Sequence, residues 1–116
     1  MFLDNKTKVM FYKDSVDMRK SIDGLCAVIT STIKEELHSG SIYEFMNKRV
    51  DKMKILLWDR NGFCLYYKRL EKLKFKKPKI KDNVLVISAV ELRWLLDGLD
   101  IRKLALTESE KYSKIY

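Results

Sequence analysis

Histidine and cysteine are scarce in this 116-residue sequence, and their scarcity limits the chemistry open to the chain. His38 is the single histidine, so a nucleophilic triad has only this one candidate base. With no second histidine at ligand spacing, we expect no structural zinc. Cys26 and Cys64 each lie between apolar neighbours, and we expect two buried free thiols in a reducing compartment.

Glycine, proline and long apolar runs are also scarce. The four glycines are isolated, so the sequence has no phosphate-binding loop or dinucleotide fingerprint. Pro78 is the only proline, and no linker or repeat divides the chain. We therefore expect one domain over residues 1–103 and a flexible tail over 104–116. No apolar run approaches the roughly 20 residues that span a bilayer, and the N-terminus lacks a signal-peptide core, so we expect a cytoplasmic protein.

Positive charge is concentrated in one part of the chain. The formal net charge is +8, from 24 Lys and Arg against 16 Asp and Glu. Residues 48–81 hold 13 of those 24 cations but only three acids, so this stretch carries about +10. Such asymmetry favours a polyanionic partner, with a solvated lysine-rich surface as the alternative. Within it, residues 71–81 are too rich in lysine to be expected in the core.

Two helices are predicted from apolar residues that recur every three or four positions. The first covers about 21–37, with Ser21 as a candidate N-cap, although its β-branched residues weaken the helical propensity. The second covers about 88–98, where Ser88 and Glu91 have the spacing of a capping box. Short strands are predicted over residues 8–13, 42–46 and 84–87.

A β-hairpin is predicted over about 52–70, because an Asn-Gly pair at 61–62 lies between two strand-like runs. A two-residue turn at that pair places Lys54 opposite Arg69, on the face that also carries Trp58. Both faces of the hairpin contain apolar residues, so we expect packing on each side. The predicted fold is α+β: a small, mostly antiparallel sheet with a central hairpin and two packed helices.

Basic side chains on one accessible surface can hold a phosphate backbone, and neighbouring aromatic rings can stack on exposed bases. Arg19 and Lys20 precede the first helix and can flank a phosphate at its N-terminus, with an ion pair to Asp17 or Asp23 as the alternative. The predicted nucleic-acid-binding residues are Arg19, Lys20, Lys48, Arg49, Lys52, Lys54, Lys68, Arg69 and Lys72.

A cluster of acids would be required for a metal-dependent nuclease. Asp14, Asp17, Asp23 and Asp59 are the candidates, and such a site requires that they converge. Their alternative roles are in turns and caps, where a short carboxylate accepts hydrogen bonds from backbone N–H groups. We expect the structural roles, and neither catalytic residues nor a metal or cofactor.

Two stretches of the sequence are more specific than the pattern of predicted helices and strands, because they resemble blocks of a known protein family. Residues 16–25 read VDMRKSIDGL, and residues 45–71 read FMNKRVDKMKILLWDRNGFCLYYKRLE. They are similar to the two hallmark blocks of the TnpB accessory proteins of insertion-sequence family 66, and the likeness covers roughly residues 7–102. The chain departs from the family at two positions. Glu44 stands where the family often has an apolar residue, and Ser21 stands where it often has Gly or another small residue. A third, weaker block comprises Leu92, Leu95, Leu96, Gly98, Leu99 and Asp100.

The resemblance implies an accessory protein encoded beside a larger transposase and a second small protein, with the catalytic acids on the transposase. It does not concern the much longer RNA-guided nucleases that share the name TnpB. Two hypotheses follow: a DNA-binding module that engages the ends of the element or its target, or a protein-interaction module that docks on the transposase or its small partner. An enzyme is the least favoured class, and we expect no membrane partner and no small-molecule substrate.

Overall fold

The computed structural model describes residues 7–104, which form a five-stranded sheet with helices on both faces. Apart from Leu104, the predicted tail over 104–116 lies outside the described residues. The strands are β1 (Val9–Tyr12), β2 (Ile42–Met46), β3 (Lys52–Asp59), β4 (Gly62–Arg69) and β5 (Val84–Ile87). The helices are α1 (Ile22–Val28), which continues as a π-helical turn over Ile29–Ile33, and α2 (Ala89–Leu96), which is followed by a 3-10 turn over Ile101–Lys103.

The strand order is β4-β3-β2-β1-β5, so the hairpin lies at one edge of the sheet, and not at its centre as predicted, with β5 at the other edge. Strands β1 and β2 run parallel, and the remaining neighbours are antiparallel. The predicted class, an α+β fold with a mostly antiparallel sheet, is therefore confirmed.

Each face of the sheet carries its own apolar core, because alternate side chains of a strand point to opposite faces. Leu25 and Ile29 from the first helix pack on Phe45 and Leu56 on one side. On the other side, the core includes these residues from the strands and α2: Phe11, Met53, Ile55, Leu92 and Leu95. The expectation that the hairpin is covered on both faces holds for β3, whereas no residue of the edge strand β4 is buried. The molecule has three layers.

The register of the hairpin differs from the prediction by two residues. Asp59 is opposite Gly62, so the turn residues are Arg60 and Asn61, and the positive φ of 54° falls on Arg60. The shift brings Trp58 directly opposite Phe63, with ring centroids 5.0 Å apart, and such cross-strand aromatic pairs stabilise a register. A shift of two leaves every side chain on its predicted face, because the strand period is two.

The first helix is shorter than the predicted 21–37. It ends at Ile33, where Lys34 adopts a left-handed φ of 62°, and Ser21 makes no side-chain capping bond. The hydroxyl of Thr30 donates to the carbonyl of Cys26, and that of Ser31 donates to the carbonyl of Ala27. These bonds and the β-branched run loosen the helix into its π-helical turn.

The second helix begins with the capping box that was predicted. The N–H of Glu91 donates to the Ser88 hydroxyl at 3.1 Å, and the Ser88 N–H donates to the Glu91 carboxylate at 3.0 Å. Gly98, with φ 81°, follows the last turn.

The lysine-rich connection between β4 and β5 contributes to the core, contrary to expectation. Residues 70–83 form neither helix nor strand, yet Phe75 is buried on the α2 side of the sheet. Its N–H donates to the carbonyl of Val50 at 2.8 Å, which ties this segment to the turn between β2 and β3. A single apolar residue in a basic run has no periodicity, so the pattern could not reveal it.

Candidate nucleic-acid interface

A shallow groove of about 450 Å³ lies where the turn between β2 and β3 meets the segment that precedes α1. Arg19 comes from that segment, and Lys48 and Arg49 come from the turn. Lys52 is the first residue of β3, and Tyr67 comes from β4. Four of the nine predicted phosphate-binding residues therefore line one concave surface. The other lining residues are Val16, Asp17, Met18 and Asn47.

Asn47 organises the turn that carries Lys48 and Arg49 and leads into β3 at Lys52. Its Oδ1 accepts hydrogen bonds from the N–H groups of Asp51, at 3.1 Å, and Lys52, at 2.9 Å, while its Nδ2 donates to the Asp51 carboxylate at 2.6 Å. Within this turn Val50 has a φ of 53°, a left-handed conformation that a β-branched residue adopts only under strain. Strain of this kind persists only where the surroundings over-determine the backbone, so the turn is held in one shape.

Asn47 was not among the residues predicted for the site. The available signal was an Asn at the end of a predicted strand, because an Asn side chain can accept bonds from the backbone of a turn. That signal indicates a turn, but it does not say which side chains the turn presents.

Arg19 is ion-paired at the wall of the groove. Its Nη2 donates to Oδ2 of Asp17 at 2.6 Å, and its Nε donates to the same oxygen at 2.9 Å. These hydrogen bonds from Arg19 lower the pKa of Asp17 to about 2. Of the two acids considered as partners, Asp17 is therefore the one that pairs. The Arg19 side chain is still 92% exposed, and a guanidinium has five N–H donors, so donors remain for a phosphate.

The three cations of the turn and the start of β3 differ in how far their charge is already matched by an acid. Lys52 is half-buried and has its ammonium 3.6 Å from the Asp51 carboxylate. Lys48 and Arg49 are exposed, and within residues 7–104 neither forms an ion pair. Lys48 and Arg49 are therefore the groove cations with the most freedom to neutralise a polyanion.

Lys54 supports the groove from below and is not part of its surface. It is buried, and its ammonium donates to the carbonyls of Met18 and Lys20, both at 2.7 Å. The same ammonium lies 5.3 Å from the centre of the Tyr67 ring. It thus fastens the segment before α1 to the sheet and fixes the position of Tyr67. The predicted pairing of Lys54 with Arg69 is wrong, since Tyr67 is the residue opposite Lys54.

The remaining predicted cations are distributed around the groove or away from it. Arg69 is opposite Lys52 and forms an ion pair with Glu71 at 2.9 Å. Lys68 is on the other face of the sheet, where its ammonium donates to the carbonyl of Leu96 at the end of α2. Lys20 and Lys72 are exposed, but neither lines the groove. The nine predicted residues therefore do not form a single surface.

The acids considered for a nuclease do not assemble. Across residues 7–104, no three side chains from His, Cys, Asp and Glu lie together in a way that could hold a metal ion. His38 packs edge-on against Trp58, with ring centroids 4.4 Å apart, and its Nδ1 is 3.2 Å from the Glu36 carboxylate. The expectation of two buried thiols is wrong: Cys26 is only partly buried, and Cys64 is exposed because its strand is at the edge of the sheet.

Comparison with known proteins assigns the chain to a family. The family model described as IS66 Orf2 like protein matches residues 7–105, nearly all of the chain. The chain belongs to this family. Membership confirms the resemblance that the two sequence blocks carry, and it supports an accessory role in transposition.

Two relatives come from Sinorhizobium fredii (strain NBRC 101917 / NGR234). Uncharacterized protein y4jC is 36% identical over 93 residues, which cover 80% of each chain. Uncharacterized protein y4hO is 29% identical over 86 residues, which cover 74% of this chain and 75% of the relative. No solved structure matches the chain. Among the helices of residues 7–104, none combines the length and the apolar character that crossing a membrane requires.

Proposed function

We propose that this accessory protein is a non-catalytic DNA-binding module that assists a separate transposase through the basic groove. The observation that carries the proposal is the convergence of Arg19 with Lys48, Arg49 and Lys52 on one concave surface. Phosphate groups are the natural ligands of such a surface, since each contact releases condensed counterions from DNA.

The electrostatics of the groove support contact with a polyanion. Within the described residues neither Lys48 nor Arg49 forms a salt bridge, and a hydrogen-bonded turn holds both on the lining of the groove. Like charges placed together on a rigid turn repel each other unless an anion binds between them. DNA from the ends of the element or from its target is the anion that a transposition accessory protein encounters.

The proposal is tested by a salt titration of binding to labelled duplex DNA from the ends of the element, with unrelated DNA of equal length beside it. The double variant Lys48→Ala/Arg49→Ala should weaken binding and reduce the slope of log affinity against log salt by about 1.8, at about 0.9 per lost phosphate contact. A preference for the element's ends would make the binding sequence-specific.

The matched control removes the same net charge elsewhere. Lys79 and Lys81 are exposed in the segment that leads to β5, at the opposite edge of the sheet. The variant Lys79→Ala/Lys81→Ala should retain both the affinity and the salt slope of the original protein. Equal losses in the two double variants would show that net charge, and not the groove, determines binding.

A second candidate function, docking on the transposase or its small partner, is favoured by a different surface. Leu73 is 76% exposed and lines a cavity of about 180 Å³ together with Leu70 and Leu96. Lys68, Lys74 and Lys76 surround these apolar side chains, which suits an acidic partner with an apolar anchor. In co-purification with the transposase, Leu73→Ser should reduce recovery if this surface docks, whereas Lys48→Ala/Arg49→Ala should not.

A further inference from the structure

The groove contains one aromatic side chain in addition to its cations. Tyr67 is 48% exposed although it belongs to a strand, and its side chain lies on the wall of the groove. Apolar side chains on the same face of the hairpin, such as Leu56 and Leu65, are covered by the core beneath α1. Burial in the core therefore explains why those positions carry apolar side chains, but it does not explain the aromatic ring at Tyr67.

The position of the Tyr67 ring is fixed from below. The Lys54 ammonium, 5.3 Å from the ring centre, is itself held by the carbonyls of Met18 and Lys20. A cation against an aromatic face is attractive and orders the ring without covering it. Tyr67 is thus a preorganised flat surface, at the side of the turn that presents Lys48 and Arg49.

The geometry of the groove suits one strand better than two. Reading a duplex in its major groove requires a protruding helix or β-ribbon, but this surface is concave and is lined by a turn, an extended segment and one strand residue. In a duplex, the faces of each base are already stacked on its neighbours. An unpaired base has a free face, and stacking on an aromatic ring beside a basic track is how proteins hold single strands.

We propose that the groove binds single-stranded nucleic acid, with an unpaired base stacked on Tyr67 and the adjacent phosphates on Lys48 and Arg49. The inference rests on the proposed function, because it assigns a nucleic-acid class to the same groove. It adds a preference for single strands over duplexes. Charge alone cannot produce this preference, because a duplex has more phosphates per length, but a duplex has no free base face.

The test compares a labelled single strand of mixed sequence with its duplex, by fluorescence anisotropy at the same salt concentration. The single strand should bind more tightly than the duplex. Tyr67→Ser should weaken single-strand binding by about 5- to 150-fold, the equivalent of the ~1–3 kcal/mol that one base–aromatic stack contributes. Its effect on duplex binding should be less than about twofold, because the phosphate contacts are retained.

Three controls separate stacking from other effects. Tyr67→Phe retains the ring and should bind as the original does. Tyr66→Ser alters a neighbouring tyrosine that is 37% exposed on the opposite face, and it should also leave binding unchanged. On a single strand whose central nucleotides are abasic, the original protein and Tyr67→Ser should bind equally. Urea unfolding of each variant identifies any loss that comes from misfolding.

The outcomes distinguish failure of the stacking site from failure of the proposed DNA-binding function. If Lys48→Ala/Arg49→Ala weakens binding but the duplex binds more tightly and Tyr67→Ser has no effect, the stacking site is refuted and the DNA-binding groove stands. If Lys48→Ala/Arg49→Ala affects neither form of nucleic acid, the groove itself is refuted. Equal losses for Tyr67→Ser and Tyr66→Ser would also overturn the stacking site.

Discussion

Replacing Glu44 with leucine should stabilise the protein, although it removes a charged residue from the middle of the sheet. Glu44 is on β2 between Phe11 of β1 and Ile55 of β3, and it is 0% exposed. Within the described residues, neither carboxylate oxygen has a hydrogen-bond partner. Burial raises the pKa of Glu44 well above its usual value, and the positive charge of Lys77 opposes this only in part.

The expected gain follows from the desolvation of this group. An unsatisfied buried polar group costs about 1–3 kcal/mol, and an apolar side chain of similar volume removes that cost. Glu44→Leu should therefore raise the free energy of unfolding by about 1–3 kcal/mol at pH 8.

The pH dependence has the opposite sign to that of a typical surface carboxylate. Because the folded-state pKa of Glu44 lies above the unfolded value, the folded state favours the protonated carboxyl. The stability that this protonation supplies is fully present below the unfolded pKa. It is lost as the pH rises through the folded pKa. The difference between Glu44→Leu and the original protein should therefore grow from pH 4.5 upward and level off once Glu44 is ionised.

Urea unfolding followed by circular dichroism across this pH range measures both effects. Glu44→Gln is the matched variant, because it removes the titration but retains an unsatisfied polar group. It should abolish the pH dependence and stabilise less than leucine does. A loss of more than about 1 kcal/mol in Glu44→Leu at pH 8 would refute the reasoning, since it would mean that the ionised carboxylate has a stabilising partner such as Lys77.

Three further predictions concern a cap, a turn and the thiols. Ser88→Ala removes the hydroxyl that accepts from the N–H of Glu91 and should cost about 1 kcal/mol in urea unfolding, and an unchanged midpoint would contradict the capping box. Asn47→Ala should weaken DNA binding without changing the charge of the groove, whereas Asp82→Ala, an exposed control outside it, should not. Cys64 is exposed, while burial raises the pKa of Cys26, so a thiol reagent should modify Cys64 first in the native protein. Mass spectrometry of the partly labelled protein identifies the site, and earlier labelling of Cys26 would contradict the packing of the first helix.

The features that were predicted best depend on residues that are close together in the sequence. Helix α2 has its start signal within four residues, at Ser88 and Glu91, and the alternation of the hairpin assigned each side chain to its face. The turn itself was placed one residue too late, which shifts the strand register by two, because the cross-strand packing of Trp58 and Phe63 outweighs the preference of Asn-Gly for the turn positions.

The groove depends on contacts that no local pattern reveals. Lys54 reaches carbonyls 36 and 34 residues earlier, at Met18 and Lys20, and so brings Arg19 beside the turn. From the sequence, Lys54 and Lys68 were indistinguishable from exposed cations. The fold instead uses their ammonium groups to satisfy backbone carbonyls, which is a common use of lysine where a buried carbonyl lacks a partner.

The most direct test of the groove is the map of backbone amide chemical shifts when an oligonucleotide is added to isotope-labelled protein. Binding in the groove predicts that the perturbed amides cluster at residues 17–19, 47–52 and 67. Perturbations that cluster instead at residues 70–76 and 96–98, with the turn unaffected, would contradict the assignment of the groove and locate the contact on the opposite face of the sheet.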